Sequence, residues 1–79
     1  MTDDIAWNYL RDLGNLLKAQ ALAAKEERDA ASVDERGYAV GRLMAYHEVV
    51  SLMQQHAMAF GMDLDALALD DISPERDLT

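Results

Sequence analysis

The chain contains no cysteine. That removes disulfides, thiolate nucleophiles and cysteine-ligated zinc together. It also fits a reducing compartment, so a cytoplasmic location is expected. Basic side chains are scarce, with seven Lys and Arg against 15 Asp and Glu and a net charge of -8. Neutralisation of phosphates by Lys and Arg supplies most nucleic-acid affinity, so direct binding to nucleic acid is not expected. An anionic membrane surface is disfavoured for the same reason. No apolar run approaches the roughly 20 residues of a membrane span. The acidic start, Met1-Thr2-Asp3-Asp4, is unlike the basic start of a signal peptide. Alternating apolar and polar residues, Val/Ile/Thr runs and Asn-Gly turns are also missing, which argues against strands.

What remains is a short helical chain. Its 79 residues make a single small domain (1–79), with 61–79 as an acidic C-terminal segment. The hydrophobic fraction is 51%, but 13 of those residues are Ala and bury little. A core in a chain below about 70–80 residues rarely supplies more than about 3–5 kcal/mol, and such chains add disulfides, a metal or a partner subunit. Disulfides are excluded and no ligand set is evident, so association is expected.

Asp3 or Asp4 is placed to cap a first helix that begins near Ile5 and runs to about residue 30. At about 100° per residue, Ile5, Tyr9, Leu10, Leu13, Leu16, Leu17, Ala21 and Ala24 share one side. Arg11, Lys18 and Lys25, seven apart, form a basic row on the other, which reads as a solvated face. Ser32-Val33-Asp34-Glu35 has the form of a capping box, giving a turn at 30–32 and a second helix from Val33. The rival is a first helix that continues to Arg36 and stops at Gly37.

The second helix is expected to reach Phe60 and end at Gly61, which suits a left-handed terminus. Ala39, Leu43, Tyr46, Val50, Met53, Ala57 and Phe60 follow a 4-3 spacing. A second apolar strip, Tyr38, Gly41, Ala45, Val49, Leu52 and Ala59, lies about 130° away. A helix apolar on two sides must be covered on two sides, and the first helix covers one. Beyond Gly61, Asp63 is positioned to cap a turn carrying Leu64 and Leu67, and Ser73-Pro74-Glu75 is a helix start. This segment carries six acidic residues and one basic residue, Arg76.

Gly37, Gly41 and Ala45, spaced by four, make a smooth groove that admits close helix approach, either within the chain or to a partner. Gly14 is a similar notch on the first helix. Gln20, His47 and Gln54 read as hydrogen-bonding groups that fix helix register. Trp7 suits either a cap on the end of a bundle or an interface anchor. Met44, Met53, Met58 and Met62 suit core or an adaptable surface. His47 and His56 point away from each other and share no metal, so neither a metal nor a cofactor is expected. No nucleophile-base arrangement or phosphate-binding loop is assembled, and no catalytic residues are expected.

The expected fold is all-α, an antiparallel hairpin (about 4–30 and 33–60) with a short C-terminal helical segment, pairing into a dimeric four-helix bundle. The expected function is that of a non-enzymatic protein–protein interaction module acting as a homodimer, with Tyr38, Gly41, Ala45, Val49, Leu52 and Ala59 at the interface. The alternative is a small acidic inhibitor of a basic partner, a toxin or a nucleic-acid-acting protein, by analogy of size and charge with immunity proteins, antitoxins and anti-CRISPR-type proteins. In that case Asp63, Asp65, Asp70, Asp71, Glu75 and Asp77 would meet the partner.

Overall fold

The computed structural model describes residues 2–79, with side chains from residue 4 onward. It is all-helical, with two long helices packed as an antiparallel hairpin: α1 (Thr2–Ala30) and α2 (Arg36–Ala59). Tyr46 donates a 2.6 Å hydrogen bond to Gln20 Oε1, and Arg42 reaches Glu27 at 3.3 Å, which sets the stagger of the two helices. The guanidinium of Arg42 also lies 5.6 Å from the ring centre of Tyr46.

The helix ends depart from expectation at two points. α1 is already helical at Thr2, so Asp4 lies in its first turn, where a carboxylate suits the positive end of the helix dipole. α2 begins at Arg36 rather than Val33. The capping box does not form: Ser32 Oγ donates to the Glu35 carboxylate at 2.9 Å, while the Glu35 amide bonds the Ser32 carbonyl at 3.1 Å. With side chains bonded to each other, no cap is presented to the amides, and residues 32–35 form a turn instead. The other end of α2 follows the sequence closely. Gly61 is left-handed (φ 71°), and Met62 N to Ala57 O (2.9 Å) with Gly61 N to Met58 O (3.0 Å) closes a Schellman motif.

Residues 62–79 fold back as a third layer. A 3-10 helix (Leu64–Leu67) leads to α3 (Pro74–Asp77), which has Pro at its first turn. Neither Asp63 nor Ser73 makes a side-chain cap. Instead, Asp77 reaches back and accepts the Ser73 amide at 2.9 Å. The segment drives Leu67, Leu69, Ile72, Pro74 and Leu78 into the core, against Ala21 and Ala24 of α1 and Leu43, Val50 and Ala57 of α2. Leu69 and Leu78 are among the largest fully buried side chains, so the tail supplies core and not merely charge.

The contact with α1 depends on Gly14. A Cβ there would lie 1.7 Å from the carbonyl oxygen of Leu67, so the 3-10 backbone rests directly on the helix. Lys18, one turn further on, donates to the Ala68 carbonyl at 2.8 Å and to Asp71 at 2.7 Å. From α2, Gln54 Nε2 donates to both the Leu69 and Ile72 carbonyls, at 3.0 and 2.8 Å. These donors satisfy tail carbonyls that no regular secondary structure pairs. The basic row is therefore not a solvated face. Arg11 is exposed, but Lys18 and Lys25 are half-buried on the side where the acidic segment docks.

Candidate interaction surface

With the tail on one broad face of the hairpin, the opposite face has no cover among the described residues. All six residues of the second α2 strip, Tyr38, Gly41, Ala45, Val49, Leu52 and Ala59, are exposed. Tyr38 is 75%, Leu52 65% and Val49 40% accessible. The first strip behaves oppositely: Ala39, Leu43, Val50 and Ala57 are buried, Tyr46 and Met53 are partly buried, and Phe60 alone is exposed. A Cβ on Gly37 or Gly41 would meet nothing within 4 Å. The groove through Gly37, Gly41 and Ala45 is thus unused by α1, and packing within the chain does not explain it.

The bare surface continues onto α1. The apolar arc there divides in two. Ala21 and Ala24 are buried and Leu10, Leu13 and Leu17 partly buried, while Ile5, Tyr9 and Leu16 remain exposed at 69%, 65% and 61%. These three belong to the candidate surface and were not distinguished by sequence. The available signal was the width of the arc, which exceeds what one neighbouring helix covers. Between the helices lies an open groove of about 530 Å³ lined by Leu10, Leu52, Met53, His56, Ala57, Met62 and Leu67. Leu52 and His56 join it to the bare strip, and the His56 ring lies 4.8 Å from that of Phe60. Trp7 is 45% accessible.

The acidic candidates divide as well. Asp63, Asp65, Asp70 and Glu75 are exposed. Asp71 is paired with Lys18, and the hydrogen bond from that ammonium holds its carboxyl below the ordinary value of 3.8. Asp77 is held well below it by the Arg76 guanidinium at 2.8 Å and by the Ser73 amide. Two of the six acids proposed to meet a partner therefore hold the tail together and to α1. Of the three expected register-setting groups, Gln20 and Gln54 make cross-element hydrogen bonds. His47 instead lines a smaller groove of about 370 Å³ beside Leu43, Met44 and Leu78.

No helix is long and apolar enough to cross a membrane among the described residues. Comparison with protein-family models, with curated proteins and with solved structures gives no match.

Proposed function

We propose that the protein is a non-enzymatic interaction module that works as a homodimer, pairing two hairpins through their tail-free faces into a four-helix bundle. The supporting observation is the wholly exposed strip Tyr38, Gly41, Ala45, Val49, Leu52 and Ala59, extended by Tyr9 and Leu16. Large contiguous apolar surfaces mark interaction sites.

Size points to a second copy as the occupant. The chain measures 49 × 21 × 16 Å, with a radius of gyration of 14.1 Å. A compact chain of this length has a radius of about 11.6 Å. Its accessible surface is 5449 Å², whereas a folded monomer of 8.8 kDa exposes about 4,800 Å². The excess of roughly 650 Å² approaches the ~800 Å² that each partner gives up in a standard interface. Pairing along the long face would remove that excess and make the particle more compact.

The test is mass in solution. Sedimentation equilibrium at micromolar concentration is expected to give about twice the 8.8 kDa chain mass. Leu52→Asp is expected to give a monomer with unchanged helix content, because a carboxylate buried at an interface centre has no partner there. A wild-type chain that stays monomeric and helical at that concentration overturns the proposal. The inhibitor reading loses two of its acids to structural work; a basic partner bound through Asp63, Asp65, Asp70 and Glu75 remains its reduced form.

A further inference from the structure

The exposed strip of α2 is nearly palindromic in position and complementary in size. With His56, which is exposed and lies in the same sector, its members are Tyr38, Gly41, Ala45, Val49, Leu52, His56 and Ala59. At about 100° per residue all seven fall within a sector about 80° wide. At a rise of about 1.5 Å, Tyr38 and Ala59 lie about 16 and 15 Å on either side of Val49. Gly41 and His56 lie about 12 and 10 Å away, and Ala45 and Leu52 about 6 and 4.5 Å. Each mirrored pair joins a large side chain to a small one: Tyr38 with Ala59, His56 with Gly41, and Leu52 with Ala45. Val49 is left at the centre.

We infer that the second copy docks antiparallel, on a two-fold axis that passes beside Val49 and sets Tyr38 over the partner's Ala59, Gly41 against the partner's His56, and Ala45 against the partner's Leu52. This rests on the homodimer reading and specifies its geometry. A two-fold axis perpendicular to the helices brings the patch onto itself with the direction of the helix reversed and lays α1 over the partner's α1, whereas an axis along the helices pairs the patch parallel and in register. Reversal places every large residue over a small one, which is the condition for interlocked side chains at interior packing density. A parallel pairing in register instead stacks Tyr38 on Tyr38 and Leu52 on Leu52, and leaves Gly41 facing Gly41 across a gap.

The glycine supports the same arrangement. A helix-interior Gly is less favourable than Ala, and a Cβ on Gly41 would meet nothing within 4 Å among the described residues. His56 has the bulk to fill it and is held in place against Phe60. The arrangement also sends the two tails to opposite outer faces of the dimer, so the exposed Asp63, Asp65, Asp70 and Glu75 of each copy stay clear of the joint.

The lack of cysteine makes the register directly testable. Tyr38→Cys and Ala59→Cys are prepared separately, then oxidised gently, alone and as an equimolar mixture. Ala45→Cys and Leu52→Cys form a second pair. A disulfide requires Cα atoms within about 7 Å, so each mixture is expected to yield the mixed disulfide at least about tenfold over either variant alone. The masses of the variants differ, and mass spectrometry identifies the mixed product. Efficient self-linking of Tyr38→Cys alone overturns the antiparallel arrangement, as does a sedimenting dimer in which neither mixture links. A variant that sediments as a monomer is replaced by the second pair. A wild-type monomer removes the homodimer reading itself, so the two failures are distinguishable.

Discussion

The two broad faces of the hairpin are both apolar in part, yet they are built differently. The covered face is irregular. It has a glycine notch at Gly14 and two long polar side chains, Lys18 and Gln54, that reach across to carbonyls of Ala68, Leu69 and Ile72. The bare face carries Tyr9, Leu16, Ala45, Val49 and Leu52 along regular helix. The difference follows from what each face must accept. An irregular segment arrives with unpaired backbone groups, so the face that receives it needs donors. A second helix satisfies its own backbone and needs only shape. The chemistry of a face therefore indicates what kind of element it is built to receive.

The largest contrast comes from one substitution made on each face. Leu69→Ala, at a fully buried site, is expected to cost about 3 kcal/mol, from lost burial and a residual cavity. Leu52→Ala is expected to change stability by less than about 0.5 kcal/mol where the chain is dilute enough to be monomeric, because the site is exposed. Urea unfolding at low and high protein concentration measures both. Equal costs at low concentration would erase the distinction between the faces.

Gly14→Ala comes next. Alanine is the better helix former by about 1 kcal/mol, so helix propensity alone predicts stabilisation. The close approach of the Leu67 carbonyl predicts the opposite, since backbone must move to admit a Cβ. A net loss of about 2 kcal/mol is expected, within the range for overpacking. It should appear as faster hydrogen exchange at the Leu69 and Leu78 amides. A raised unfolding midpoint would show that the tail does not rest on this helix.

Gly14 also shows where sequence reading succeeded and where it stopped. The two helices, the stop at Gly61 and the start at Pro74 were legible because each has a local cause: periodicity, a left-handed residue, a fixed φ. The buried strip Ala39, Leu43, Val50, Ala57 was legible from its spacing. The role of Lys18 was not, because periodicity assigns a charged residue to water, whereas here a long side chain bonds a distant carbonyl at 2.8 Å. The start of α2 departs from the capping-box spacing because the Ser32 hydroxyl donates to the Glu35 carboxylate instead of accepting from the Glu35 amide, a difference of role that spacing cannot distinguish. The docking of the tail depended on a backbone contact, and the one trace of it in the sequence was the notch at Gly14.

Gln54→Leu isolates the polar part of the covered face. The side chain keeps its bulk, but the Leu69 and Ile72 carbonyls lose their shared donor. Leaving part-buried acceptors unpaired is expected to cost about 1–2 kcal/mol. The loss should concentrate in the tail, seen as increased proteolytic cleavage between Gly61 and Ser73 with little change in helix content. Uniform destabilisation would place Gln54 in the hairpin core instead.

The smallest expected effect is electrostatic. In the folded chain the carboxyls of Asp71 and Asp77 lie below their ordinary value of 3.8, so the folded state binds protons more weakly than the unfolded chain. The stabilisation is complete above about pH 5 and is lost progressively as pH falls through the unfolded value and then the folded ones. Asp71 is exposed and Asp77 half-buried beside an exposed Arg76, so both pairs are screened by salt and the contribution is modest. Because Lys18 and Asp71 join α1 to the tail, acid and salt should loosen the covered face first. Apolar association of the bare face is not weakened by screening. Raising salt at neutral pH should therefore increase tail hydrogen exchange while leaving the sedimenting mass unchanged. Asp71→Asn should remove most of the salt response of the tail. If the mass falls with salt in step with tail exchange, the two faces are coupled and cannot be treated as separate surfaces.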